Sequence, residues 1–197
     1  PYALQGYERI THPTAPVRVY IEGDGNAWFT RHQPSPNPTP LNPVALTLAV
    51  KDTSPNVAYI ARPCQYIISP PCGVPTWTYE AYSETNISAM DVALNRWRGH
   101  KLELVGFSGG AGVAMLLAAR RSDVLSIRTV AGNTDTVLFA RIHEVSAPQP
   151  GMLNPADSRA KTSQIPQLHF AGANDTVIPP SFTQAYQASL PPAHCSN

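Results

Sequence analysis

The run Lys101-Leu102-Glu103-Leu104-Val105-Gly106-Phe107-Ser108-Gly109-Gly110-Ala111-Gly112-Val113-Ala114-Met115-Leu116-Leu117-Ala118 decides how this chain is read. Its first part alternates apolar residues as a strand does, and its last part is a continuous series of apolar helix formers. Ser108 stands at the join, with Gly106 and Gly110 two positions to either side. A strand that turns abruptly into a helix strains the residue at the bend, and bulky neighbours at those two positions would block the turn. The spacing therefore predicts a nucleophile elbow with Ser108 as nucleophile. The helix beyond it aims free N–H groups and its positive dipole end at the serine, where a developing oxyanion gains most. The plain structural alternative is a glycine-rich turn that only packs closely. Two other glycine-loop chemistries fail on residue identity. A phosphate-binding loop needs Lys and then Ser or Thr after its last glycine, whereas Gly112 is followed by Val113. A dinucleotide fingerprint begun at Gly110 needs a glycine where Met115 stands.

Composition narrows the class. At 197 residues, 43% hydrophobic and 14% charged, the sequence fits a single globular domain spanning 1–197. Fourteen Lys and Arg against thirteen Asp and Glu leave a formal charge of +1, so nothing electrostatic favours nucleic acid or an anionic membrane as partner. A small-molecule acyl substrate fits better. The apolar run Val113 to Ala119 is far shorter than the ~20 residues that cross a bilayer, so no transmembrane segment is expected. Cys64 and Cys72 flank a stretch whose Pro70-Pro71 can reverse the chain, and a disulfide is the expected outcome, with two free thiols or a metal site as alternatives. A bridge would place the protein in the periplasm, the cell envelope or outside the cell. Cys195 is left over, free or paired elsewhere.

Strand-like and helix-like segments alternate. Val17 to Ile21, Asn56 to Arg62, Lys101 to Gly106, Ser126 to Ala131 and Gln167 to Ala171 read as strands. Leu41 to Asp52, a segment capped by Ser83 and running to Arg98, Gly109 to Arg121 and Ser181 to Leu190 read as helices. In the second of these, Ile87, Met90, Val92, Leu94 and Trp97 offer a buried stripe. The pattern implies an α/β fold, a mostly parallel sheet with helices on both faces. Ligands of such sheets bind at the carboxyl ends of the strands, where Ser108 lies. Pro34, Pro36, Pro38, Pro40 and Pro43 mark a surface loop. The segment at about 132–165 has the length of a small cap, and its Pro148, Pro150 and Pro155 predict an irregular covering loop with a short helix. Trp28 and Phe107 are candidates to line a pocket, and Trp77 and Trp97 are expected in packing.

The elbow, the alternation and the late segment Phe170-Ala171-Gly172-Ala173-Asn174-Asp175-Thr176-Val177-Ile178-Pro179 together resemble the α/β-hydrolase superfamily. Tyr20-Ile21-Glu22-Gly23-Asp24-Gly25 and Ala61-Arg62-Pro63-Cys64-Gln65 are similar to segments of bacterial exported hydrolase-like proteins. The resemblance implies the α/β-hydrolase fold with a small cap, here truncated at both ends. It implies an acid in a Gly-x-x-Asp context, which makes Asp175 the candidate partner of a catalytic histidine and Asp135 the reserve. It places the backbone N–H of Asp24 beside that of Gly109 as oxyanion donors. Two carboxylates, Glu22 and Asp24, then stand near a site meant for negative charge. Pairing of Glu22 with Arg62 resolves the conflict, since the resemblance sets their strands side by side, and recognition of a cationic substrate group by Asp24 is the alternative.

The base is harder to place. His194 follows Asp175 with too little intervening chain for the strand that ordinarily precedes the catalytic histidine. His169 falls within a strand, His143 follows a cap helix and is a pocket candidate, and His12, His32 and His100 belong to loops or element ends. The histidine is therefore expected beyond residue 197. The function implied is a serine hydrolase cleaving an ester or related acyl bond, with no metal or organic cofactor. The rival is an inactive hydrolase-like binding or structural protein of the cell envelope.

Overall fold

Residues 2–191 are described by the computed structural model of the chain. In chain order the elements are β1 (Gly6–Ile10), β2 (Val17–Ile21), α1 (Val44–Lys51), β3 (Asn56–Ile60), α2 (Val74–Trp77), α3 (Glu84–Leu94), β4 (Leu102–Phe107) and α4 (Gly109–Ala118). There follow β5 (Val124–Val130), α5 (Thr136–Ile142), α6 (Arg159–Thr162), β6 (Gln167–Phe170) and α7 (Pro180–Ala188), with 3-10 turns at Asn95–Trp97 and Pro155–Ser158. Six strands form one sheet in the order β1-β3-β2-β4-β5-β6. All neighbours are parallel except β1, which runs antiparallel to β3 at the edge.

Period-two alternation sorts the two faces of the sheet. Val17, Val19 and Ile21 of β2, Leu102 and Leu104 of β4 and Ile127 of β5 pack on one face against α3 and α4. Tyr20, Val57, Tyr59 and Val105 point the other way, against Ala45 and Ala49 of α1. Helices thus cover both faces, as the alternation predicts. The unbroken apolar run of α4 is explained by burial of every residue from Gly109 to Ala118.

Several boundaries differ from the sequence reading for local reasons. α1 begins at Val44 instead of Leu41, because Pro43 takes the position before the helix and restricts Asn42 to extended backbone. α3 ends at Leu94 and tightens into the Asn95–Trp97 turn. Within it Ile87, Met90 and Leu94 are buried as expected, but Val92 is 67% exposed, since it falls opposite that face. Ser83 caps α3, its side chain accepting from Asn86 N–H. β1 was not legible, its five residues all being exposed. Cys64 and Cys72 form a disulfide, with Cα atoms 5.7 Å apart. Cys195 and His194 lie outside the described residues. Among the described residues no helix is long and apolar enough to cross a membrane.

A charged ladder ties the strands together on the α1 face. Arg18 donates to Asp52 at 2.9 Å and to Glu103 at 2.8 Å, and Arg128 reaches the same Glu103 at 3.3 Å. Asp52 follows α1 and also accepts from Tyr20 Oη at 2.8 Å and from Ser54 N–H at 2.8 Å. Burial pushes the Asp52 carboxyl up, but donors from Ser54, Tyr20 and Arg18 outweigh it and bring its pKa from 3.8 down to about 2. A carboxylate whose folded pKa is depressed adds stability that is complete above its unfolded pKa and disappears as pH falls through the folded one. Asp52→Asn should therefore lower stability at neutral pH and flatten its decline between about pH 4 and pH 2. Urea melts across that range provide the check, and parallel wild-type and variant curves would remove Asp52 from the acid response.

Candidate functional site

β2 and β4 are parallel neighbours with Ile21 opposite Gly106, so the loops that leave their carboxyl ends start level and side by side. Ser108 sits at the end of β4 with φ 50° and ψ −122°, a conformation that costs on the order of 1–3 kcal/mol unless its surroundings enforce it. Three backbone hydrogen bonds do so. Ser108 N–H donates to Val130 C=O at 2.9 Å, and its carbonyl accepts from Asn133 N–H at 3.0 Å and Ala111 N–H at 3.1 Å. The flanking glycines are required by close approach: a Cβ on Gly106 would collide with Ala111 backbone, and one on Gly110 with the carbonyls of Ile21 and Glu22.

Ser108 is half-buried and forms part of a cleft of ≈ 280 Å³, whose other walls are Glu22, Asp24, Asn26, the Pro40–Asn42 turn and Phe107. Phe107 thus lines the cleft. Trp28 does not border it; it is 36% exposed and meets Tyr79 edge-on with ring centroids 5.6 Å apart. Trp77 and Trp97 are buried. The proline-rich loop, read from sequence as a surface connection, supplies a wall of the cleft through Pro40, Leu41 and Asn42.

The two carboxylates are held differently from expectation. Glu22 does not pair with Arg62. It is buried and accepts from Gly23 N–H at 3.1 Å, Ala45 N–H at 3.3 Å and Tyr59 Oη at 3.2 Å. Ala45 lies in the first turn of α1, and Pro43 ahead of it has no capping side chain, so Glu22 satisfies that helix N-terminus from another strand. Arg62 instead forms an ion pair with Asp24. Parity explains the exchange. Glu22 continues the face of Tyr20, which packs on α1, whereas Arg62 continues the face of Ala58 and Ile60, which packs on α3 and α4. The sequence contained this signal.

Arg62 is buried, donates to Ala81 C=O at 2.8 Å and lies over the Tyr82 ring at 5.2 Å. Burial opposes its charge, yet attraction to Asp24 prevails and holds the guanidinium above its ordinary pKa. The Asp24 carboxylate rests against Gly109, where a Cβ would collide with it. Gln65 completes the brace, its Nε2 donating to Gly23 C=O at 2.9 Å and its Oε1 accepting from Arg62 N–H at 2.9 Å. Neither the Asp24 nor the Gly109 backbone N–H enters a turn or loop hydrogen bond among the described residues.

Asp175 follows β6, two strands from Ser108, and its Oδ1 accepts from Val177 N–H at 2.8 Å and Ile178 N–H at 2.9 Å. Asp135 caps α5, accepting through Oδ1 from Val137 and Leu138 N–H and from Asn154 Nδ2. Of the five described histidines, His32 is exposed in the proline-rich loop, and the rings of the other four are engaged away from Ser108. His12 meets Thr14, His100 meets Ala15 C=O, and His143 closes α5 against Val177 C=O at 2.8 Å. His169 bonds Thr129 and Gln167, and burial lowers its pKa. Asn133, absent from the sequence reading, pins Ser108 through its backbone; only the fold puts the two together.

Comparisons with known proteins agree with this architecture. A family model described as serine hydrolase (FSH1) matches residues 98–193. No curated protein gives a significant sequence match. Among solved structures, Est1E from Butyrivibrio proteoclasticus with bound ferulic acid is 12% identical at TM-score 0.66, covering 95% of this chain and 82% of that one. TT1662 from Thermus thermophilus is 19% identical at TM-score 0.61, covering 95% and 78%. An acetyl xylan esterase from Paenibacillus sp. R4 is 16% identical at TM-score 0.61, covering 98% and 71%. At these identities the likeness establishes the fold.

The brace makes a quantitative prediction. Arg62→Met leaves Asp24 unpaired and Ala81 C=O without its donor, and should cost about 2–3 kcal/mol, below the usual figure for a fully buried pair because the Asp24 side chain is 42% exposed. Equilibrium urea unfolding measures it; a loss under about 1 kcal/mol would show that Arg62 does not anchor the loop.

Proposed function

We propose that this chain, which has the α/β-hydrolase fold, is a serine hydrolase acting on an ester or related acyl bond of a small molecule. One observation carries the reading: Ser108, held at positive φ beside a cleft, stands next to two N–H groups, of Asp24 and Gly109, with no turn or loop partner among the described residues. The serine hydrolase family match and the esterase neighbours support the same class.

In the proposed reaction Ser108 Oγ attacks the acyl carbon while a histidine takes its proton. The carbonyl oxygen becomes an oxyanion that accepts from the Asp24 and Gly109 N–H groups. Collapse expels the alcohol, which receives the proton from the histidine, and leaves an acyl-serine. Water then attacks with the same base, releasing the acid and restoring Ser108. Asp175 is proposed to orient the histidine, because two backbone donors fix its Oδ1 and leave Oδ2 for an imidazole. The histidine is proposed to come from outside residues 2–191. The disulfide supports residence in an oxidising compartment.

The ion pair of Asp24 with Arg62 bears on electrostatics. A lone carboxylate against Gly109 would oppose an oxyanion; the guanidinium offsets it. The inactive-homologue reading drew on the acidic loop and on the missing histidine, and the ion pair answers the first of these.

Ser108→Ala should abolish hydrolysis of a short p-nitrophenyl ester and covalent labelling by a fluorophosphonate, with the melting temperature almost unchanged. Retained turnover or labelling in the variant would falsify the nucleophile assignment.

A further inference from the structure

Asp24, Arg62, Pro63, Gln65, Thr76, Trp77 and Asn86 line a cavity of ≈ 10 Å³, room for the centre of about one water molecule. Pro63 and Trp77 give its wall an apolar part, and Arg62, Gln65 and Asn86 bring polar side chains to it. Asn86 is 3% exposed, and its Nδ2 donates to Thr76 C=O at 2.8 Å and Glu80 C=O at 2.8 Å. Because both partners are carbonyls, the amide orientation is fixed: nitrogen faces them and oxygen faces away. That oxygen, Asn86 Oδ1, is buried and accepts no hydrogen bond among the described residues. A buried amide oxygen without a donor costs about 1–3 kcal/mol.

The complementary deficit lies across the cavity. A guanidinium has five N–H donors. Arg62, which lines the same cavity, directs Nη1 at Asp24 and Nη2 at Ala81 C=O, so these two bonds use two of its five N–H donors. One group lacks a donor and the other has donors to spare, and water is the ligand that accepts from one and donates to the other.

We propose that a single structural water occupies this cavity, accepting from Arg62 and donating to Asn86 Oδ1, and that it makes Asn86 a positioning residue for the Asp24 loop. The water links α3 to the ion pair that fixes Asp24 against Gly109. Asn86 touches no reacting atom; it acts through Arg62. The role in catalysis rests on the serine hydrolase reading, whereas the water itself does not.

Two measurements test it. A high-resolution crystal structure should contain a density peak within hydrogen-bonding distance of both Asn86 Oδ1 and an Arg62 guanidinium nitrogen; a dry cavity, or a water touching only one of them, overturns the proposal whatever the enzyme does. For the positioning role, Asn86→Leu removes the acceptor together with the donations to Thr76 and Glu80. It should lower kcat for a p-nitrophenyl ester about tenfold with KM within about twofold. A variant that loses stability but keeps the wild-type kcat would mean that Asn86 serves only as a structural donor, which overturns the positioning role. Absence of turnover in the wild type sinks the role and the hydrolase reading together, and the density peak still decides the water.

Discussion

The approach of α4's first turn to the end of β2 governs the arrangement of the site. Gly110 lies so close to the carbonyls of Ile21 and Glu22 that no side chain fits between them. Helix and strand are normally separated by a layer of side chains; here backbone meets backbone. The turn at Ser108 consequently hangs directly beside the loop leaving β2, and both are fixed to the same sheet through the register of Ile21 with Gly106. Had Gly110 been alanine, either the helix would tilt away or the β2 loop would shift, and in both cases Asp24 would no longer rest on Gly109.

Such closeness brings two carboxylates within one small volume, and each is neutralised by a different means. Glu22 is held by fixed dipoles: the first-turn N–H of α1, its neighbour's N–H and a tyrosine hydroxyl. Asp24 is held by a mobile-chain cation made rigid through burial, since Arg62 is clamped by Ala81 C=O and the Tyr82 face. The division has a geometric cause. Glu22 faces the α1 side of the sheet and Asp24 the α3 side, so no single cation serves both. The Cys64–Cys72 disulfide closes the segment directly after Arg62, and Gln65 within it braces Gly23. Rigidity of the β2 loop is therefore assembled from residues distant in sequence.

How much of this was legible follows from which physical signals are local. The strand, turn and helix around Ser108 could be read because apolar period and glycine spacing lie within a dozen residues of one another. Sheet composition followed from alternation along the chain, while β1 escaped because all five of its residues are exposed and none marks a core face. Glu22 and Arg62 are charges that need partners, and strand adjacency alone pairs them wrongly because it ignores which face each side chain takes. Parity counted from Tyr20 and Ile60 assigns them to opposite faces. No local signal identified the Pro40–Asn42 wall or Asn133, because their relation to Ser108 arises only when loops from separate strands converge.

The choice between the two candidate acids rests on the same kind of accounting of donors. Asp135 follows β5, adjacent to β4, and its Oδ1 already serves two helix N–H groups and an Asn154 amide. Asp175 makes the same two bonds to N–H groups two and three residues on, so what sets Asp135 apart is the added Asn154 amide. Asp175 follows β6, about 10 Å from β4 by strand spacing, and an imidazole spanning about 2 Å with a hydrogen bond of about 2.8 Å at each end bridges most of that distance, leaning side chains closing the rest. One strand away, the same bridge would be overlong. Separation is thus the ground for proposing Asp175, whose carboxylate is oriented by two N–H groups at the far end of the proposed bridge.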